Sequence, residues 1–473
     1  MTFKEFYTEA TEVPLTNWAD LQQKSPMLKA AVGLLIAIEE VNSSAEALIV
    51  GGAVRDILLQ KDPKDIDIAT NMATEELTRH FKTHDVGASK DFGIHTVTWE
   101  GFQFEVAAFR TEGTSTDNRR PDSVSKVDSF EEDSKRRDIT FNALGLSRDG
   151  VIIDYHNGIE DLNNKIVRTV GNAHERFKED GLRLCRVMRF AAKMGFKIEP
   201  ETKKAIIELK HLVEAMPGER VRDEMLKAAT SGNSLADYFI HLNDVGLLEK
   251  ILPEFKAMEG KPHTKETHPE GGVFEHVISA MRHSRSTDPI TNLAIAFHDL
   301  GKAITLTFTP EGKPQYKGHE YDGLPLVDAI ASRLKFSTED KQAIKFAMEH
   351  HMLGHRIKEM SPSKLIGMRH SPHWEHLKQT FRADDASRLH LFDEKEYDSK
   401  MEHIENLYNT FGKKQEFEKK MSELINGQMI MQIVPGIKGP EIGKIKDAVR
   451  QWIVDAQFQV TQDQVIAKIK ELA

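Results

Sequence analysis

Residues 49–71 read IVGGAVRDILLQKDPKDIDIATN. The apolar run 47–50 has the length and composition of a short strand. Gly51-Gly52 breaks it, and residues 54–59 resume at helical spacing. The alternation over 66–69 predicts a second strand, to which Asp65 and Asp67 are assigned. Side chains two apart on a strand share a face, so both carboxylates are placed to bind one metal pair. Hard oxygen donors of this kind suit Mg²⁺, which brings substrate phosphates with it. Two such ions activate an attacking hydroxyl and stabilise leaving pyrophosphate. Backbone N–H groups after Gly51-Gly52 suit a triphosphate, and Arg55, one turn in, offers a bidentate phosphate contact.

Outward from this unit, residues 31–40 (AVGLLIAIEE) and 74–81 predict helices. Residues 95–99 and 102–109 alternate about Glu100-Gly101, which predicts a hairpin. Glu105, in QFEVAAFR, falls on its second strand and completes a carboxylate triad. Residues 151–154 supply another strand, and after Glu175 helical periodicity dominates to the end. The fold class is therefore α+β, a mixed-sheet head followed by a long all-α remainder. Residues 111–135, rich in Ser, Asp and Arg, read as a mobile loop. Residues 1–30 carry no motif.

Composition narrows the function classes. A chain of 473 residues exceeds one ordinary domain. No apolar run approaches the roughly 20 residues that span a bilayer, and the acidic N-terminus lacks an export signal pattern, so a cytoplasmic location is expected. The single cysteine, Cys185, excludes an intramolecular disulfide. Net charge is −10, from 64 Lys+Arg against 74 Asp+Glu, which argues against a generic nucleic-acid coat but leaves room for a local basic groove.

Two further segments carry chemistry in the first half. In KRRDITFNAL, Arg137 precedes Asp138, suited to accept from a ribose hydroxyl, and Asn142 offers an amide. In EDGLRLCRVMRF a helix is predicted from Glu179 to about Met194, with Asp180 and Arg183 neighbours on one face. Arg186 and Arg189 continue at that spacing. The second half holds His276, then His298-Asp299 in IAFHDLGK, His319, the pair His350-His351, and Asp384. Mixed imidazole and carboxylate donors favour a transition metal such as Ni²⁺, Mn²⁺ or Co²⁺ over Mg²⁺ alone. Spacing does not decide between His350 and His351; His350 is carried as the ligand.

These segments resemble known motifs. Residues 49–71 resemble motif A of the polymerase-β-type nucleotidyltransferases, in the class II branch of tRNA nucleotidyltransferases and bacterial poly(A) polymerases. RRDITFNAL resembles motif B and EDGLRLCRVMRFAAKMGF resembles motif D of that branch. The set His…His-Asp…His…His…Asp over residues 273–388 resembles the HD phosphohydrolase superfamily. NGQMIMQIVPGIKGPEIGKIKDAV resembles the C-terminal segment of HD-containing tRNA nucleotidyltransferases; Gly436, Gly439 and Gly443 there either approach a nucleic-acid backbone or cap helices.

The resemblance implies template-independent addition of C, C and A to the tRNA 3′ end from CTP and ATP, with Mg²⁺ as cofactor. Asp65, Asp67 and Glu105 become the catalytic set. Gly51, Gly52, Arg55, Arg137, Asp138, Asn142, Asp180, Arg183, Arg186 and Arg189 become the nucleotide site. Asp180 and Arg183 take the role of reading the base. Cytosine and adenine both show an exocyclic amine beside a ring-nitrogen acceptor, and a carboxylate beside a guanidinium complements them. Uracil and guanine reverse the order and leave buried groups mispaired, at about 1–3 kcal/mol each. The HD domain is expected to hydrolyse phosphate esters such as 2′,3′-cyclic phosphates.

The implied organisation is an extension (1–30), the head (31–160), a helical neck (161–245), an HD body (246–400) and a tRNA-binding tail (401–473). No membrane or protein partner is expected. Asn118-Arg119-Arg120-Pro121 resembles the flexible loop of full CCA-adding enzymes. A poly(A) polymerase, a CC- or A-adding specialist, and a phosphohydrolase or RNA-binding protein with a relic head remain alternatives.

Overall fold

The computed structural model describes residues 10–85, 93–113, 124–264, 268–411 and 414–473. They form two compact units, one within Met1–Ala228 and Asp237–Pro253, the other within Ala229–Ala236 and Glu254–Ala473.

The first unit is built on a mixed sheet. Its strands are β1 (Thr11–Pro14), β2 (Ala47–Val50), β3 (Asp67–Thr70), β4 (Thr83–Asp85), β5 (Ile94–Trp99) and β6 (Phe102–Ala108). A separate ribbon pairs β7 (Arg110–Glu112) with β8 (Val124–Lys126), and β9 (Gly145–Leu146) and β10 (Val151–Asp154) rejoin the sheet. The order is β1-β10-β9-β2-β3-β6-β5-β4. Only the β3–β6 pair is parallel among the described strands of this sheet, and it sets Asp67 opposite Glu105. Central β2 is buried at all four residues, as its purely apolar run requires. The β5–β6 turn takes Glu100 and Gly101 to φ 47° and 85°, the left-handed pair that a two-residue hairpin needs.

Three sequence expectations change here. Residues 11–14, assigned to a motif-free extension, pair with β10 as the sheet's edge. The helix read over 31–40 runs from Pro26 to Val41, because Ser25 caps it by accepting from Leu28 N and Pro26 supplies a preset first turn. Residues 111–135 are not one loop: they contribute to the β7–β8 ribbon and to the helix Phe130–Lys135. Polar composition hid these elements, since a two-stranded ribbon and a one-and-a-half-turn helix need few apolar residues. Residues 114–123, with the Asn118–Pro121 motif, lie outside the described residues.

The second unit is helical. Helix Pro289–Phe297 is buried from Thr291 to Phe297, as a helix apolar on all sides must be, and so delivers His298-Asp299 to the unit's interior. One apolar cluster extends from Ile357 through Trp374 and Phe381 to Ile404, Ile453 and Ile469, so residues on both sides of position 400 share a core. Gly436 takes φ 89°, Gly439 opens helix Gly439–Asp455, and Gly443 lies inside that helix.

Phe141 joins the RRD segment to the neck. It is fully buried, with its ring edge-to-face against Phe190 and Phe196 at 5.8 and 6.0 Å. Phe141→Ala should destabilise the first unit by about 3–5 kcal/mol, read from the urea-unfolding midpoint. Ile207→Ala, at a 45 % exposed position, should stay within about 0.5–1 kcal/mol.

Candidate active sites

The head acids share the sheet's open face. Asp65 lies in a bend before β3 rather than on it, a correction to the sequence reading. The alternation nevertheless holds across that boundary: Ile66 is buried while Asp65 and Asp67 are exposed, as is Glu105 alongside. Asp67 is open to solvent on one side. The protein mass behind it, then the charges of Glu105 and Asp65, push its carboxyl up to about 6 against the pull of Arg137. Crowded carboxylates of this kind are a fitting donor set for a hard divalent cation.

Arg137 acts on these acids, and Arg55 joins it through Asn142. Gly51 adopts φ 72° to start helix Gly52–Leu58, and a Cβ there would stand 3.5 Å from Arg137 Nη1. Arg55 Nη1 donates to Asn142 Oδ1 at 2.8 Å. Arg137 donates to Asp133 Oδ2 at 3.0 Å, and Arg136 pairs with Asp133 Oδ1 at 2.8 Å. Asp133 is wholly buried and also accepts from Arg110 N. The sequence reading missed it because residues 111–135 were taken as loop, although its i,i+4 spacing to Arg137 was the available signal.

The neck arginines are each tied to an acid. Arg186 donates to Asp138 at 2.6 Å and Arg189 to the buried Glu224 at 2.5 Å. Burial opposes ionisation of Asp138, but the guanidinium groups of Arg186, Arg183 and Arg189 together outweigh it and hold the carboxyl below the usual range. The guanidinium groups of Arg55, Arg186 and Arg189 lie 5.5, 5.8 and 4.1 Å from the Phe190 ring centre, so that ring gathers residues from two motifs.

Asp180 and Arg183 do not share one continuous helix as expected. Helix Ala173–Glu179 ends at Asp180, whose backbone is extended, and Leu182–Met194 begins beyond it. Gly181 marks the break. Asp180 takes its ion pair from Arg220, while Arg183 pairs with Glu179 and donates to the Arg136 carbonyl.

In the second unit six buried side chains converge: His276, His298, Asp299, His319, His351 and Asp384. His351 takes the place given to His350. His350 bonds back to Phe346 O and stacks on the Phe346 ring at 4.4 Å, four residues behind it on the helix, so it faces away from the cluster. Nδ1 of His298, His319 and His351 each meets a carbonyl oxygen three residues back, at 2.7, 2.7 and 2.6 Å. A carbonyl only accepts, so each Nδ1 carries the proton and each Nε2 presents a lone pair inward. His276 Nδ1 is held likewise by Glu270 at 2.6 Å.

The inward atoms are crowded and undersatisfied. His319 Nε2 and His351 Nε2 stand 3.1 Å apart. Nε2 of His276 and His298 and Oδ1 of Asp299 are buried without a hydrogen-bonding partner. One Asp299 oxygen faces His276 and His298 at 3.4 and 3.3 Å, the other faces His319 and His351 at 3.1 and 3.4 Å. Ligand atoms of His276/His298/Asp299, of His298/His351/Asp384 and of Asp299/His319/His351 lie within 4.8 Å of one another. Opposed lone pairs around ionised carboxylates fit a bound cation, and the imidazole share favours a transition metal.

Sequence reasoning missed His355. It lines the adjoining cavity of about 210 Å³ with Lys302, Tyr316 and Arg388. Its Nε2 lies 3.3 Å from Asp384 and its Nδ1 3.2 Å from Asp385. Its position four residues after His351 was the only signal.

Known proteins match this chain over much of its length. The family model described as "Poly A polymerase head domain" matches residues 47–168, and "Probable RNA and SrmB- binding site of polymerase A" matches 195–259. A CCA-adding enzyme of Enterococcus faecalis is 50% identical over 192 residues, 40% of this chain and 47% of that protein. The chain thus spans about half the length of that relative. The multifunctional CCA protein of Psychromonas ingrahamii is 34% identical over 372 residues, 75% of this chain and 88% of that protein. Among solved structures, the Bacillus stearothermophilus CCA-adding enzyme in complex with CTP shares the fold, with TM-score 0.69 and 24% identity over 94% of this chain and 98% of that one. No helix among the described residues is long and apolar enough to cross a membrane. With a relative 34% identical and matched over 88% of its length, the chain belongs to the CCA-adding enzyme family.

Proposed function

We propose that this protein adds C, C and A to the 3′ end of tRNA from CTP and ATP, releasing pyrophosphate. What carries the reading is the carboxylate group Asp65, Asp67 and Glu105 beside Arg137, within a chain of the CCA-adding family. Asp65 and Asp67 hold Mg²⁺, with Glu105 completing the set. When bound, Mg²⁺ supplies neutralisation of phosphate charge and activation of the attacking 3′-hydroxyl. Arg137, with Arg55 beside it, binds the triphosphate and orients its α-phosphate for in-line attack. Asp138, kept ionised by Arg186, accepts from a ribose hydroxyl. Asp180 and Arg183 read the amine-and-acceptor edge shared by C and A.

The second unit supports a second reading, a metal-dependent phosphoesterase acting on ends such as 2′,3′-cyclic phosphates. Its motive is the inward-facing imidazole set with Lys302, His355 and Arg388 on the cavity wall. Those three side chains would bind the phosphate, while His276, His298, Asp299, His319, His351 and Asp384 would hold the metal.

Purified protein, tRNA lacking its 3′ end and labelled nucleotides test the first reading. CTP and ATP together should complete CCA, and Asp67→Ala should lower incorporation by about a thousandfold or more. Extension with ATP alone into long tails would instead identify a poly(A) polymerase. For the second unit, His298→Ala with Asp299→Ala should abolish 2′,3′-cyclic AMP hydrolysis across a Ni²⁺, Mn²⁺ and Co²⁺ series and leave nucleotide addition near normal. Absence of hydrolysis by wild-type protein with every metal, together with no Ni²⁺ bound by equilibrium dialysis, would make that unit a scaffold.

A further inference from the structure

Asp180 stands in the break between two helices with φ −148° and ψ 106°, where no helical neighbour fixes its side chain. Two other groups do. Leu182 N donates to Asp180 Oδ1 at 3.0 Å. Arg220, from helix Gly218–Ala228, donates Nη1 to Oδ1 at 3.3 Å and Nη2 to Oδ2 at 2.8 Å. This is a guanidinium fork gripping a carboxylate in its own plane. A carboxylate oxygen has two acceptor positions. Oδ1 uses both on Leu182 and Arg220, and Oδ2 uses one on Arg220, which leaves one acceptor position on Oδ2 for an outside amine.

Arg183 is fixed by a different set. Its Nη1 meets Glu179 Oε2 at 2.5 Å and the Arg176 carbonyl at 3.1 Å, and its Nη2 meets the Arg136 carbonyl at 2.9 Å. Acceptor and donor are therefore held apart by separate partners. The helix that carries Arg220 also carries Glu224, four residues on and so on the same face. Glu224 grips Arg189 at 2.5 Å and approaches Arg186 at 3.8 Å. One helix thus braces both the carboxylate end and the arginine row of the helix Leu182–Met194.

We propose that Arg220 is a specificity-determining positioning residue. By fixing the plane of the Asp180 carboxylate it leaves a single acceptor aimed for the exocyclic amine of C or A. The inference rests on the reading of Asp180 and Arg183 as the base-reading pair. Without Arg220 the carboxylate turns freely about its side-chain bonds, and Arg183, three residues on, becomes a cation it can collapse onto. A carboxylate locked onto Arg183 offers neither group to a base. Selection is then lost before triphosphate binding is.

The experiment compares kcat/KM for CTP against UTP, and for ATP against GTP, on tRNA ending at the appropriate position. Arg220→Ala should reduce both ratios by about tenfold or more. Arg220→Lys, which keeps the charge but not the fork, should fall between wild type and Arg220→Ala, and its thermal melt verifies folding if Arg220→Ala does not fold. Equal slowing of all four nucleotides, with wild-type ratios in both variants, would overturn the proposal. Asp180→Ala is run alongside. If Asp180→Ala itself keeps the wild-type ratios, the base-reading assignment fails; if Asp180→Ala loses them and the Arg220 variants do not, only the role of Arg220 fails.

Discussion

Asp67 and Glu105 face each other in register across a parallel strand pair of the head sheet, and Asp65 adds a third carboxylate to the same face. Like charges so placed oppose one another, and the effect is visible in the raised carboxyl of Asp67. The rest of the head is arranged around that repulsion. Arg137 pulls Asp67 back toward ionisation, and Arg137 is in turn immobilised by Asp133, a carboxylate with no exposed surface. Asp133 reaches this position because helix Phe130–Lys135 places it a turn before two consecutive arginines. Charge alternates outward, from acid to arginine to buried acid, so a concentrated anionic face stands within a first unit that remains folded.

The same alternation runs through the neck. Arg186 answers Asp138, Arg189 answers Glu224, Arg183 answers Glu179 and Arg220 answers Asp180. Exposed ion pairs contribute little to stability, but the Arg189–Glu224 pair is buried, where removing one partner strands a charge. Their value is positional. Each guanidinium fork has a fixed direction before any ligand arrives, so little ordering remains to be done on binding. That is what a site needs if it is to read a base with side chains rather than with a template.

Much of this was legible in residues 49–71. A run with a Gly-Gly break and two acids two apart dictates strand, turn, helix and a shared carboxylate face, and the head has them all. Motif spacing likewise brought the HD ligands together. Failures came where local composition misleads. Ser, Asp and Arg in residues 111–135 conceal a ribbon and a short helix, because such elements take their stability from packing against the sheet rather than from their own apolar content. Asp180 and Arg183 satisfied helical spacing, yet one helix ends at Asp180 itself and the next begins after Gly181. His350 against His351 is a choice about which side of a helix end faces inward, and adjacent residues differ there by about 100°. Arg220 was invisible for a simpler reason: it matters through a partner, and it meets Asp180 from forty residues away.

The two candidate centres meet the problem of assembling metal donors in opposite ways. In the head the donors are carboxylates exposed at the surface; burial of its inner side and its acidic neighbours push Asp67 up to about 6, and Arg137 opposes that shift. In the second unit the donors are mostly imidazoles whose Nδ1 contacts to carbonyl oxygens turn Nε2 inward, and two buried carboxylates, Asp299 and Asp384, lie among them. Donor type and geometry, rather than net charge, then select the ion. Hard, hydrated Mg²⁺ gains little from nitrogen donors, whereas a borderline transition metal gains a great deal. On the proposed reading, donor chemistry alone lets one chain draw two metals from a common pool without either centre capturing the other's ion.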